Sequence, residues 1–527
     1  MEPLEGRDVP AAVGALDPSF ATGGKLTVAG TTFGAVALQP DGKIVAVGGQ
    51  AVGVDLDFLV ARFNPDGTPD TTFNTTGTKT IDFNGANDNA NAVAIQSDGK
   101  IVVAGNAGND FGVTRLNTDG TLDTTFGING LVDVDFNGHT NRANGLAIAA
   151  NGNLYVAGTV GVTTAEFGFG LLALNPAGAP LASFGNNGRT AVNLVSQFEG
   201  ANAIAIQPDG KLVVAGVVDP LGSDFAVIRL DPTTGQLDTG FGTQGLAEVN
   251  FGPADDTAQA LVIQPDGDII AAGITTPAGR PNSSNAALAR LTPAGVLDTT
   301  FGTGGKTSFQ LSAPGGINAA ALQPDGEIVV VGSNSQDVVV GRMTAGGAVD
   351  TSFGTAGSTT VDTTAQNIAK GLVLQPDGRI VVAGVTNGGD GFIVRLIGTV
   401  QKVSRLAVSG SPDGTADVFT PDPTGQYGTT PATVPAVGGP GTARTAVGDV
   451  NGDGIPDTVV VTGPAPRSGS TWSAGRTGAC WSSRSTRSGG TSPAAGSWPR
   501  RTSTGTGRPS SWSPRTRAAA PGSPSSR

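Results

Sequence analysis

The sequence predicts an all-β fold: a seven-bladed β-propeller of four-stranded blades, closed by a strand from the N-terminus. Three observations predict it. A strand–turn–strand unit, first met as Gln39-Pro40-Asp41-Gly42-Lys43-Ile44-Val45-Ala46-Val47-Gly48, returns at Asp98-Gly99, Asn151-Gly152, Asp209-Gly210, Asp266-Gly267, Asp325-Gly326 and Asp377-Gly378. These seven copies stand 52 to 59 residues apart, a period that marks a repeat architecture. Each copy holds four short apolar runs punctuated by Gly, Pro and Asp, with no helix-period segment between them.

One unit shows why each element is expected. Ala203 to Ile206 reads as the first strand, Gln207-Pro208-Asp209-Gly210 as the turn, and Leu212 to Ala215 as the second strand. A loop of varying length leads to the third strand, Phe225 to Leu230. A hairpin carrying Leu237-Asp238 and Phe241-Gly242 leads to the fourth, Leu246 to Phe251. The turn glycine has a physical cause: type I′ turns and bulged hairpin loops need positive φ, which Gly adopts without a Cβ clash.

Closure follows from phase. The chain enters partway through a unit, at Leu16-Asp17-Pro18-Ser19-Phe20, and supplies a fourth-type strand at Lys25 to Ala29. Its last copy stops after the third strand, Phe392 to Leu396. Pairing the two removes two open sheet edges. A solenoid, the competing layout for repeats, gains nothing from this offset.

Two side-chain columns run in phase with the turns. The third strand ends in Arg at Arg62, Arg115, Arg229, Arg290, Arg342 and Arg395, and Asp follows eight or nine residues later at Asp70, Asp123, Asp238, Asp298 and Asp350. In the third unit, where Ala173 replaces Arg, the acid is missing too. Joint loss predicts an Arg–Asp ion pair across each hairpin, with Arg395 meeting Asp17 at the closure; chance decay of one copy is the alternative. The Phe column (Phe20, Phe73, Phe126, Phe184, Phe241, Phe301, Phe353) is complete and reads as core between blades rather than a stack for ligands.

Units of this form resemble delta-60 repeats, a bacterial β-propeller family, over residues 16–397. The resemblance implies a large secreted or surface protein, with no general catalytic role.

Beyond the ring the period changes. Residues 398–466 form a partial β segment in which Asp449, Asn451, Asp453 and Asp457 offer side-chain oxygens around a Gly turn, with the carbonyl of Ile455 as a further donor. Hard cations take six to eight such oxygens, so Ca2+ is the expected cofactor; the alternative is an Asx-rich turn. The loop lacks the position-12 Glu and the flanking helices of an EF-hand. It is similar to the calcium loop of FG-GAP or VCBS repeats, which joins two strands.

Residues 467–527 hold ten Arg, all four Trp, the only cysteine (Cys480) and no acid. A disordered tail is expected. One reading is a basic nucleic-acid arm. The preferred one is a frameshift, because Arg501 to Ala520 read one frame away encode a second Asp-Gly-rich calcium loop and strand. At the other end, Met1 to Ala15 has no apolar core of a secretory signal, and its Leu4 to Ala12 resembles a short leader of large bacterial surface proteins.

Composition narrows the function. Residues 1–466 carry 21 Lys and Arg against 43 acids, so the body is not expected to bind nucleic acid. The sequence has no apolar run long enough to span a membrane as a helix, and a lone cysteine excludes a disulfide framework. The expected function is a non-catalytic, extracellular or cell-surface repeat protein. It would be a monomer whose propeller binds an unknown protein or glycan at the cell envelope. A propeller-based glycan-active hydrolase or lyase is the alternative, and a frameshifted remnant without function is another. For the enzyme, His139 stands without a nucleophile at motif spacing, and Asp255-Asp256 reads as solvated loop acids.

Overall fold

Residues 12–398 are described by the computed structural model, apart from 164–165, 195–197, 220–222, 253–254, 277–283, 312–314, 335 and 362–366; beyond residue 398 it describes the backbone of seven short strands between residues 406 and 485. The chain divides into two compact units, residues 1–407 with 418–432, and residues 408–417 with 433–527.

The first unit is a seven-bladed β-propeller, and among its described residues there is no helix. Blade 1 is typical: Thr31–Leu38, Ile44–Val52, Asp55–Phe63 and Thr78–Ile81 pair in sequence order, all antiparallel. Blades 2 to 6 repeat it. Blade 7 takes three strands from the end of the ring, Asn367–Leu374, Ile380–Thr386 and Gly391–Leu396, and its fourth from the beginning, Lys25–Val28. The register runs from Lys25 opposite Val394 to Val28 opposite Gly391. The expected closure is therefore present. Asp17 N–H donates to the Arg395 carbonyl and Arg395 N–H to the Gly24 carbonyl, 2.9 Å each, extending the seam. Residues 12–15 join it: Gly14 N–H donates to Ile397 O at 2.6 Å.

Burial explains the apolar runs. Second strands such as Ile101–Ala107 are sandwiched between blades and read as near-continuous Ile, Val and Ala. First strands such as Asp88–Ile95 alternate, because one side faces the axis. All seven Phe of the recurring column are fully buried in clusters between adjacent blades, each contributing roughly 1.5–3 kcal/mol. The turn glycines Gly42, Gly99, Gly152, Gly210, Gly267, Gly326 and Gly378 all have φ between 81° and 91°.

Two local readings are corrected. In the first unit the loop expected between second and third strands, Gly49 to Asp57, is mostly hairpin: the strands continue to the pair Val52–Asp55 and turn tightly at Gly53 (φ 68°) and Val54. The fourth strand expected over Leu246 to Phe251 ends at Val249, because Phe251 N–H is taken by the Asp256 carboxylate at 2.7 Å.

In the second unit, Thr442–Gly448 pairs antiparallel with Asp457–Gly463. Of the tail expected to be disordered, the described residues include Ser470–Ser473 paired with Ser482–Ser485; the rest lies outside the described residues.

Candidate functional site

Every first strand carries a β-bulge at the same level. The extra residue, unpaired in its ladder, is Gly34, Asn91, Asn144, Asn202, Gln259, Asn318 or Lys370 in turn. The four asparagines form a relay. Each Nδ2 donates to the backbone carbonyl just ahead of the next blade's bulge: Asn91 to Ala143, Asn144 to Ala201, Asn202 to Ala258 and Asn318 to Ala369, all at 2.8 Å. In blade 1 a Cβ on Gly34 would lie 2.6 Å from Ala90 O, so a side chain has no room there. The bulges and the residues after them line an axial cavity of about 600 Å³. Lys370, exposed to it, is the one charged side chain among the described lining residues. Sequence reasoning passed over this column, although an Asn after Ala or Ile inside an apolar run recurs at Asn91, Asn144, Asn202 and Asn318.

The two faces of the ring differ. One face carries the Pro-Asp-Gly turns, and there the expected ion pairs form. Arg62 Nε lies 2.8 Å from Asp70, Arg115 Nε 2.7 Å from Asp123, Arg229 3.0 Å from Asp238, Arg290 2.6 Å from Asp298, Arg342 2.5 Å from Asp350 and Arg395 2.9 Å from Asp17. Each guanidinium also covers its blade's Phe, 4.6–5.2 Å from the ring centre. Five of them reach across to a backbone carbonyl of the next blade: Thr118, Pro176, Pro293, Ala345 or, from Arg395, Pro65. Burial alone would raise the Asp123 pKa, but hydrogen bonds from Lys100, Thr125 and Arg115 outweigh it and hold the carboxyl far below the usual range. Asp17 is lowered in the same way, by Ser19, Arg395 and Arg379.

The opposite face gathers the second-to-third-strand hairpins and the fourth-to-first connections. A ring of buried polar residues opens the first strands here: Thr31, Asp88, Asn141, Glu199, Asp256 and Asn367. Asp88 accepts from Phe83 N–H (2.6 Å) and Gly108 N–H (2.8 Å), and Glu199 accepts from Leu194 N–H (2.8 Å). These acids thus tie down the connection entering their strand. Asp256 is fully buried and heads a strand, which corrects its reading as a solvated loop acid; Asp255 is exposed. His139 is a half-buried loop residue, as expected.

Acids crowd this face. Burial, reinforced by Asp82 and Asp57, pushes Asp88 up to about 6 against the pull of its two amide donors. Burial together with the carboxyl of Glu248 pushes Asp224 up to about 6. Asp57, Asp82 and Asp88 bring one carboxylate oxygen each within 4.8 Å of one another.

The metal ligands expected from sequence belong to the second unit. Asp449, Asn451, Asp453 and Ile455 lie outside the described residues, and of Asp457 only the backbone is described, opposite Gly448.

A family model described as a domain of unknown function (DUF5122) beta-propeller matches residues 39–73, 96–126, 207–241, 264–301, 323–353 and 375–396. The six matches fall in six of the seven units. Each matched span contains both the turn and the third strand, and none includes the third unit, the one with Ala173. No curated protein matches the sequence. Solved structures similar to the chain include a virginiamycin B lyase from Staphylococcus aureus (12% identity, 71% of this chain and 98% of that one, TM-score 0.42). They also include the polysaccharide lyase Uly1 (13%, 74% and 94%, TM-score 0.38) and PorZ, a surface component of the type-IX secretion system of Porphyromonas gingivalis (12%, 82% and 59%, TM-score 0.43).

Proposed function

We propose that the protein is a non-catalytic, extracellular or cell-surface binding module, a monomeric delta-60-type propeller that presents its varied loop face to a protein or glycan of the cell envelope. The observation that supports it most is the asymmetry of the two faces. The turn face repeats one arrangement in blade after blade and is tied by ion pairs. The loop face changes from blade to blade, from the long hairpin tipped by Val54, 95% exposed, to the short connection between Ser333 and Val338. Varied segments on a rigid scaffold are where binding residues collect. The channel fits a scaffold role as well, since its asparagine amides are already committed to neighbouring blades.

On this reading residues 398–466 are an FG-GAP/VCBS-like repeat stabilised by Ca2+. Asp449, Asn451, Asp453, the Ile455 carbonyl and Asp457 would hold the ion, and extracellular modules bind calcium at about 10⁻⁴–10⁻³ M, where that ion is plentiful. The oxygen spacing supports this, as does the pairing of the flanking strands with Gly448 opposite Asp457.

The test is binding of full-length protein to glycan arrays and to fractionated envelope proteins. Val54→Asp on the loop face is expected to weaken a captured interaction and Ser97→Lys on the turn face to leave it unchanged. The opposite pattern, or turnover of a bound glycan, would reject the proposal.

A further inference from the structure

The third unit lost its Arg–Asp pair, and that loss frees two uncharged groups on the turn face. In the other six units the residue opening the turn is Gln. Its amide can tie the turn to the next blade: Gln39 Nε2 donates to Gly99 O at 3.3 Å and Gln207 Nε2 to Gly267 O at 3.1 Å. The third unit has Ala149 there, with no amide to give. The carbonyl in line for it, Gly210 O, accepts no hydrogen bond from any described residue.

The second group is a hydroxyl. In five units the residue two places after the hairpin acid donates to that acid: Thr72 to Asp70, Thr125 to Asp123, Thr300 to Asp298, Ser352 to Asp350 and Ser19 to Asp17, at 2.6–2.7 Å. The third unit keeps the hydroxyl, Ser183, but has Leu181 in place of the acid. Ser183 Oγ has no partner among the described residues.

Ser183 and Gly210 line one pocket of about 430 Å³ between blades 3 and 4. Missing side chains explain why it is there. At the junction of blades 1 and 2 the corresponding space holds Gln39, Arg62 and Asp70, with Arg62 donating to Gln39 Oε1 at 3.3 Å and to Asp70 at 2.8 Å. In the third unit Tyr155 replaces the guanidinium, but nothing replaces the glutamine. The walls are largely apolar, from Ala149, Leu181, Ile206, Pro208 and Tyr155, and no described lining residue is charged.

That lining defines its ligand. A charged group leaving water here would meet no counter-ion, so the ligand is neutral. It needs an apolar face for the walls, a donor for Gly210 O and an acceptor for Ser183. A sugar ring has C–H faces and a rim of hydroxyls that both donate and accept, and the volume lies in the range of about 300–1,000 Å³ usual for small-ligand sites. We propose that this pocket binds an uncharged pyranose unit of a glycan. The site is on the turn face, apart from the loop-face interaction proposed above, and stands without it.

The experiment titrates full-length protein, by calorimetry and saturation-transfer NMR, with uncharged mono- and disaccharides of glucose, galactose, mannose and N-acetylglucosamine. Glucuronic acid is the charged control. Binding of at least one neutral sugar, and weaker or no binding of glucuronic acid, is expected. Ala149→Gln, which copies Gln39 and Gln207, puts the amide back and fills the pocket; it should abolish binding without lowering the melting temperature. Ser183 is exposed, so Ser183→Ala keeps the fold and should weaken binding about fivefold, which reports even if Ala149→Gln is unstable. Val54→Asp on the loop face should leave sugar binding unchanged. No neutral sugar bound, glucuronic acid bound as tightly, or full affinity in Ser183→Ala or in folded Ala149→Gln would overturn the proposal. Loss of sugar binding in Val54→Asp would overturn it too, by placing the sugar on the other face.

Discussion

Blades 2 and 3 sit side by side and solve one packing problem in two ways. In blade 2, Arg115 is opposite Val102 in the ladder, pairs with Asp123, covers Phe126 at 4.8 Å and donates to Pro176 O of blade 3. Lys100 adds a second cation, 2.8 Å from Asp123. In blade 3 all three charges are gone: Ala173, Asn153 and Leu181 stand in their places. Across the ladder from Ala173, where blade 2 has Val102, lies Tyr155. Its ring fills the volume of the missing guanidinium and sits 6.0 Å from that of Phe184, and its hydroxyl donates to Pro232 O of blade 4 at 3.0 Å. Leu181 packs into the same apolar cluster. A large residue has moved from one strand to its neighbour, and the link to the next blade is kept with no charge at all. What the ring requires at this level is therefore a filled space and one donor reaching the next blade. The ion pair is one way of providing them.

That comparison can be broken or sharpened. The largest effect is expected from Arg115→Ala, which leaves Asp123 buried with Lys100 as its one cation; a loss of about 3–5 kcal/mol should appear in urea unfolding. Carrying the blade 3 solution into blade 2, as Val102→Tyr with Arg115→Ala and Asp123→Leu, should recover all but roughly 1–2 kcal/mol, since well-packed apolar groups can replace a buried pair. A triple variant no better than Arg115→Ala would show that the charges themselves are needed. Removing the reaching donor of blade 3 alone, by Tyr155→Phe, should cost about 1 kcal/mol in the same assay, and Asn144→Ala in the channel a similar amount.

The smallest effect is in pH. Asp123 and its counterparts have depressed pKa values in the fold, so their contribution is complete above the usual carboxylate range and is lost as pH falls below it. Asp224 is raised from 3.8 to about 6; the fold therefore binds its proton more tightly than the unfolded chain does, and stability rises as pH falls from about 6 towards 4. Melting temperature in chelator should pass through a maximum in the acid range, with Asp224→Asn flattening its neutral side.

Much of this was legible because a repeat is its own alignment. The Asp-Gly turns, the Phe column and the joint loss of Arg and Asp in one unit sufficed for the blade, its core and its ion pairs, and the phase offset sufficed for closure. Tyr155 was not legible, because its relation to Ala173 exists only once second and third strands are in register. The strand-end acids were missed because a charge beside Gly and Asn looks like loop; Asp88 and Asp256 are buried only because backbone N–H groups of the preceding connection turn back onto them. The Asn bulges were in plain sight, but Asn in a strand gives no sign that its amide leaves the blade.

The seam of blade 7 has a consequence for synthesis. Asp17 and Arg395 are 378 residues apart, so at about 5–20 residues per second the first strand waits roughly 20–75 s on the ribosome before its partner is made. Blades 1 to 6 draw their strands from consecutive chain and can form in the order they emerge, whereas the last sheet has an unsatisfied edge until both ends of the ring meet. Ring completion is thus the late step of biogenesis.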